Sequence, residues 1–203
     1  CSDETIENAA SLAQEFNVGV HTHVAEGEID VSASDRLHSL SHDNWILAHG
    51  VFLEDDHEIQ GTIIHNPRSN MNNSVGYAAP KRFKNPVGLG TDGIGADMFD
   101  EFRIGYVRLR EEDITESPET VWEMLEVNAK LFPESQQDVV TWSYPEIDPW
   151  HLAFSLGVKP RDIVISGEEV MKDGIVMTVD ADEVRSKARE AATRLFKKID
   201  NLP

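Results

Sequence analysis

Apolar residues recur with a helical period at the start of the chain, at Ile6, Ala9, Ala10, Leu12, Ala13 and Phe16. That spacing gathers them on one helix face. Ser2 is placed to cap the helix, and Asn17-Val18-Gly19 to end it, with Gly19 supplying a left-handed stop. The period then shortens to two. Residues 20–25 read as a strand with His21 and His23 on one face and Val20, Thr22 and Val24 on the other, the latter suited to packing against a helix. Residues 28–44 are polar, with a weak helical pattern at Arg36, Leu37 and Leu40. Residues 45–48 are continuously apolar up to His49, as expected of a strand buried on both faces. Residues 62–66 predict a third strand, stopped by Pro67, which cannot donate to a ladder. The polar run after Pro67 predicts a rigid loop braced by its own hydrogen bonds.

Residues 87–93 predict a fourth strand in which Gly88, Gly90 and Asp92 share a face. Two glycines below an aspartate leave room for close approach by a ligand or another backbone. An amphipathic helix follows, with Met98, Phe99, Phe102, Tyr106 and Leu109 on its apolar side, and another begins after Ser117-Pro118. From Asp138 the pattern changes. Residues 138–142 read as a strand, and residues 162–167 and 169–176 as a hairpin with a turn signal at Asp173-Gly174. The tail is a helix with an apolar stripe at Val184, Ala188, Ala191, Leu195 and Ile199, and its basic end suits the helix dipole. Helices alternating with apolar strands define an α/β class, with a small β-region outside it.

Composition narrows the partners. The chain has 203 residues, 40% of them hydrophobic, enough for one core and a smaller appendage. No apolar run is long enough to span a bilayer, and no basic-then-apolar leader opens the chain. The single cysteine, Cys1, excludes an internal disulfide framework and fits a reducing cytoplasm. A net charge of −19 argues against nucleic acid and anionic membranes and favours neutral or basic small molecules. The acidic residues are spread over helical faces, as on any solvated surface.

The chemistry gathers at strand ends. His23, Glu26, His49 and Asp92 each lie at or just past the C-terminal end of a predicted strand, where barrels of alternating strands and helices carry their active sites. Imidazoles and carboxylates converging there suit metal-assisted hydrolysis, with a carboxylate accepting and returning the proton. The competing reading makes the histidines hydrogen-bonded core residues, Glu26 a solvated side chain and Asp92 a helix cap. His65 and Asn66 are placed either to touch substrate or to brace the loop.

His23-Val24-Ala25-Glu26, Leu47-Ala48-His49-Gly50, His65-Asn66-Pro67-Arg68-Ser69-Asn70-Met71-Asn72-Asn73 and Gly88-Leu89-Gly90-Thr91-Asp92-Gly93-Ile94-Gly95 occur in this order. In them the chain resembles the amidohydrolase superfamily, in its branch of nucleobase and triazine aminohydrolases, and is most similar to aminohydrolases of the SsnA type. The resemblance implies the C-terminal portion of a metal-dependent (β/α)8 TIM barrel (residues 1–137), return strands of a small β-sandwich domain (residues 138–180) and a C-terminal helix (residues 181–203). It implies one divalent ion, zinc first and iron second, bound by His23 and Asp92. Glu26 would shuttle the proton to a ring nitrogen and leaving amine, and His49 would orient the hydrolytic water or polarise the substrate. Asp92 would also be the general base. Asn66, Ser69 and Asn70 would form the structured loop, while His21 shares the site-facing side without belonging to the motif. The implied activity is deamination of a small cyclic nitrogen compound, and a homodimer is common in the family.

The pattern also departs from the family. The His-x-His of the first barrel strand has no counterpart, since Val24-Ala25-Glu26 identifies His21-x-His23 with a later strand. Residues 54–61 are short for a parallel crossover, and the stretch between Lys130 and Asp138 looks abbreviated. The expectation is therefore a part of a longer chain, with segments missing between numbered neighbours. Two rivals remain: a cupin-like metal oxygenase, whose site also uses His-x-His, Glu and a later His, and a catalytically incomplete amidohydrolase-like subunit.

Overall fold

The computed structural model describes residues 1–202. In chain order the helices and strands are α1 (Asp3–Phe16), β1 (His21–Val24), α2 (Ala33–Leu37), β2 (Ile46–His49), β3 (Thr62–His65), α3 (Pro67–Asn72), β4 (Val87–Leu89), α4 (Met98–Glu112), α5 (Pro118–Leu131), β5 (Val139–Trp142), α6 (Pro149–Phe154), β6 (Pro160–Ile165), β7 (Glu168–Lys172), β8 (Ile175–Val176) and α7 (Ala181–Ile199). They form two compact units. The first is Cys1–Phe132 with Ile147–Leu156, and the second is Pro133–Glu146 with residues 157–202. Residues 147–156 fall inside the stretch expected as return strands, but they carry α6, and its Leu152 is buried in the first unit's core.

Ser2 caps α1 by accepting a hydrogen bond from the Thr5 N–H at 3.3 Å. The helix ends on Asn17, whose φ of 52° supplies the left-handed stop expected of Gly19. Gly19 answers a different need, because a β-carbon there would lie 1.9 Å from the Asn44 carbonyl oxygen. The first unit's sheet is parallel throughout, in the order β1-β2-β3-β4. Sequential parallel order is how consecutive strands run in a barrel wall. The crossover from β2 to β3 consists of residues 50–61, turns without a helix, and this connection, expected to be too short, does close a parallel pair. The stretch after Pro67, expected as a loop, is helix α3, because Pro67 sits at its first turn, where no N–H is needed.

One face of the sheet is the core. Val24, Leu47 and Ile63 are buried with Trp45, Leu37 and Leu53, and Ile6 and Ala10 of α1 pack against them. Leu89 joins Phe102, Tyr106 and Leu109 of α4 and Val121 and Met124 of α5 in a second cluster. Each fully buried aliphatic side chain contributes about 1.5–3 kcal/mol. The second unit is an antiparallel sheet in the order β5-β6-β7-β8, followed by α7. A parallel sheet packed with helices excludes the all-β cupin reading. Among the described residues, no helix is long and apolar enough to cross a membrane.

Candidate metal centre

The other face of the parallel sheet is open. His21, His23, Ile46, Ala48 and Ile64 of its strands, with Asn66 just past β3, line a cleft of about 410 Å³, closed in part by Asn128, Leu131 and Phe132 of the α5 region. All strand ends lie on one rim because the strands are parallel. The backbone takes a left-handed turn at the rim three times, at Ala25 (φ 47°), His49 (φ 77°) and Asp92 (φ 49°). Such a conformation costs about 1–2 kcal/mol for a residue with a β-carbon. The turn at His49 has a visible consequence. Strict alternation would send its ring to the core face with Leu47, and the turn returns it to the cleft face.

Donor atoms of His23, His49 and Asp92 lie within 4.8 Å of one another. The His23 and His49 rings stack, with centroids 5.3 Å apart. His49 Nε2 is 3.8 Å from Glu26 Oε2 and 3.8 Å from Asp92 Oδ2. His49 is fully buried, and its Nε2 has no hydrogen-bond partner. On the far side of the ring, Nδ1 lies 2.9 Å from Asn70 Oδ1, with Asn66 Nδ2 farther off at 3.5 Å. With the Asn70 carbonyl oxygen as acceptor in this orientation, Nδ1 carries the proton and Nε2 turns a lone pair toward two carboxylates, while Asn70 Nδ2 is itself buried without a partner. Lone pairs facing one another without a donor repel, and a divalent cation among them relieves the repulsion. Two imidazole nitrogens and a carboxylate oxygen are a donor set that zinc and iron both accept. The residues present therefore fit such an ion.

Asp92 is held as a carboxylate. Ser69 donates to its Oδ2 at 2.5 Å and the Gly93 N–H to its Oδ1 at 2.7 Å. The Ser69 hydrogen bond is the main reason its carboxyl lies below the usual range. The helix-cap explanation of Asp92 falls away, because Asp97 caps α4 through the Phe99 and Asp100 N–H groups. Glu26 stands on the same rim, with Asn73 Nδ2 3.4 Å from its Oε1.

The remaining candidates divide. His21 and Asn66 line the cleft, whereas Ser69 and Asn70 reach it through Asp92 and His49. His65 does not come to the cleft. Ile64 and Asn66 face it, so alternation sends His65 to the core face, where it lies edge-on to Tyr77 with ring centroids 5.9 Å apart. Burial, with Arg108 and then His49 nearby, lowers its pKa to about 3. The expected approach to the two glycines is made by side-chain amides. A β-carbon on Gly88 would lie 2.3 Å from Asn128 Oδ1, and one on Gly90 would lie 2.3 Å from Asn66 Oδ1. Asn128 also pairs with both backbone groups of Leu89, at 3.0 and 2.6 Å. Sequence reasoning missed Asn128 and gave Asn73 no role. Asn128 gave no signal of its own, because it stands among the polar residues of an amphipathic helix, between Glu126 and Lys130.

Comparison with known proteins follows the same lines. The profile of the Amidohydrolase family matches residues 1–129. The chain is 26% identical over 239 residues to a 5-methylthioadenosine/S-adenosylhomocysteine deaminase of Halothermothrix orenii, covering 96% of this chain and 56% of that protein. It is 28% identical over 240 residues to a 5'-deoxyadenosine deaminase of Methanopyrus kandleri, again covering 96% and 56%. The chain thus spans just over half the length of these relatives. Both alignments are longer than the 203-residue chain, so the relatives carry internal segments with no counterpart here. The fold resembles that of a zinc-bound adenosine deaminase from Xanthomonas campestris, with a TM-score of 0.82 and 20% identity over 97% of this chain and 55% of that one. It also resembles a zinc complex of atrazine chlorohydrolase from Arthrobacter aurescens, with a TM-score of 0.75 and 18% identity over 93% and 52%.

Proposed function

The chain belongs to the amidohydrolase family, and from that premise we propose that the whole protein is a metal-dependent aminohydrolase that deaminates a small cyclic nitrogen compound. The observation that carries this reading is the buried, unpartnered Nε2 of His49, turned toward Glu26 and Asp92 beside His23. His23 and Asp92 would hold a divalent ion, with His49 Nε2 beside the same position and left free as an acceptor. When bound, such an ion lowers the pKa of a coordinated water to about 7, which makes hydroxide available at neutral pH. Zinc is the first choice, since both fold neighbours named above were crystallised with it.

The residues then divide the remaining work. Asp92, kept ionised by Ser69, accepts a proton at its carboxylate. His49 Nε2 accepts a hydrogen bond from the attacking water and so orients it. Glu26 delivers its proton to the ring nitrogen, takes up the proton of the newly added hydroxyl and delivers that one to the departing amine, which leaves as ammonia. The proton on Asp92 returns to Glu26 for the next cycle. Adenine-type nucleosides head the substrate list, because the named relatives act on them. We place the enzyme in the cytoplasm as a homodimer.

The test is metal analysis and turnover of the full-length protein against aminopurine nucleosides, guanine and amino-triazines. Asp92→Asn and Glu26→Gln are each expected to lower turnover by roughly 10²- to 10⁴-fold with an unchanged circular dichroism spectrum. Near-normal turnover in either variant would overturn the assignment. Zinc binding without turnover of any ring would favour the rival reading of a catalytically incomplete subunit.

A further inference from the structure

Helix α3 stands between the strands that carry the site, and its side chains divide by face. Ser69 and Asn70 of the helix, and Asn73 that caps its C-terminus, fall at helical spacing on one side, one turn apart or adjacent. Each touches a different group of the site. Ser69 Oγ donates to Asp92 Oδ2 at 2.5 Å, Asn70 Oδ1 lies 2.9 Å from His49 Nδ1, and Asn73 Nδ2 lies 3.4 Å from Glu26 Oε1. Asn73 Nδ2 is also 3.4 Å from Ser69 Oγ. The donors run in one direction, because the amide of Asn73 donates to the Ser69 hydroxyl and that hydroxyl donates to Asp92. The two amide hydrogens of Asn73 thereby join Glu26 to Asp92.

The platform itself is clamped. Arg68 Nε donates to the fully buried Glu101 at 2.6 Å, its Nη2 to Asp100 at 3.0 Å, and its backbone N–H to Glu101 at 3.3 Å. Charge-assisted pairs of this kind are strong and fix direction. Ser69 and Asn70 are both buried, so α3 has little room to shift against α4.

We infer that α3 is a positioning helix: Asn70 fixes His49 as the Nδ1–H tautomer, with Nε2 facing the site as an acceptor, while Ser69 and Asn73 set the spacing of Asp92 and Glu26. The inference rests on the function proposed above for the role of these groups. The tautomer it assigns does not depend on turnover. Histidine side chains that bind metal or move protons need one nitrogen fixed by a partner on the other, and loss of that partner commonly lowers affinity or activity by roughly 10- to 100-fold.

The first test is ¹⁵N spectroscopy of the histidine-labelled, metal-free protein at mildly alkaline pH. His49 is expected as the Nδ1–H tautomer. Asn70→Ala is expected to mix the tautomers, and Asn70→Asp, which keeps an acceptor oxygen, to restore Nδ1–H. An Nε2–H tautomer in the wild type overturns the inference, as does a tautomer unmoved by Asn70→Ala. Should Asn70→Ala not fold, the wild-type and Asn70→Asp spectra still decide. The second test uses Asn73→Ala, an exposed change. It is expected to lower kcat by roughly 10-fold with KM and zinc affinity unchanged, and an unchanged kcat overturns the Asn73 part. A protein without zinc or turnover would defeat the proposed function, yet leave the tautomer measurement to stand or fall alone.

Discussion

His49 and His65 close neighbouring strands of one parallel sheet, and both are buried. By sequence they are near equivalents, each a histidine at the end of an apolar run. His49 leaves its strand in the left-handed region, with φ at 77°, and its ring returns to the cleft among His23, Glu26 and Asp92. His65 shows no such turn, keeps the alternation of its strand and enters the core face beside Tyr77. One has a partner on Nδ1 and a lone pair aimed at the site, whereas the other has no hydrogen bond at either nitrogen. The lesson is that a strand-terminal histidine acquires its chemistry from the last backbone torsion and from what receives its other nitrogen. Residue type and position alone do not distinguish the two.

The sharpest way to break this contrast is to exchange what each ring supplies. His49→Asn keeps a residue that tolerates the left-handed turn and deletes Nε2. Turnover is expected to fall by roughly 10²- to 10⁴-fold, with zinc content and the fold retained. The corresponding change, His65→Phe, is expected to leave turnover unchanged in the same assay. Equal losses at both positions would dissolve the distinction.

A smaller effect is expected from Gly90→Ala. Its β-carbon would press on Asn66 Oδ1 and on Ile64 Cγ2, the latter 2.5 Å away. The expected loss is about 1–3 kcal/mol of stability, read by chemical denaturation, together with a displaced Asn66.

Another effect is one of pH dependence and leaves turnover untouched. His65 titrates near about 6.5 in the unfolded chain but is lowered to about 3 in the folded protein. Stability from keeping it neutral is complete above the unfolded value and is lost as pH falls from there toward the folded value. The slope is up to about 1.4 kcal/mol per pH unit. His65→Phe removes that component, so its acid limb should be flatter than that of wild type. Its stability at neutral pH should be equal or higher, since an unpartnered buried polar group is replaced by an apolar one. An acid limb identical to wild type would show that His65 is not the buried neutral histidine described here.

Much of this was legible in the chain itself. Local periodicity revealed α1, the four parallel strands, α4 and α5, because a helix or strand with one buried face must repeat its apolar residues at its own period. It revealed α7 too, although the stripe of Val184, Leu195 and Ile199 is exposed. The clustering of His23, Glu26, His49 and Asp92 was legible too, since parallel strands place all their C-terminal ends on one rim. Tertiary structure decided the rest. Asn17 and not Gly19 stops α1, because the stop depends on which residue reaches the left-handed region first and Gly19 is needed against Asn44. Residues 67–72 form a helix begun by Pro67, and Arg68 anchors it to Asp100 and Glu101, which lie some thirty positions away. His65 left the site and Asn73 joined it for one physical reason. A period tells which face a side chain takes within an element, but hydrogen-bond partners and rim torsions come from residues distant in sequence, and only packing brings those together.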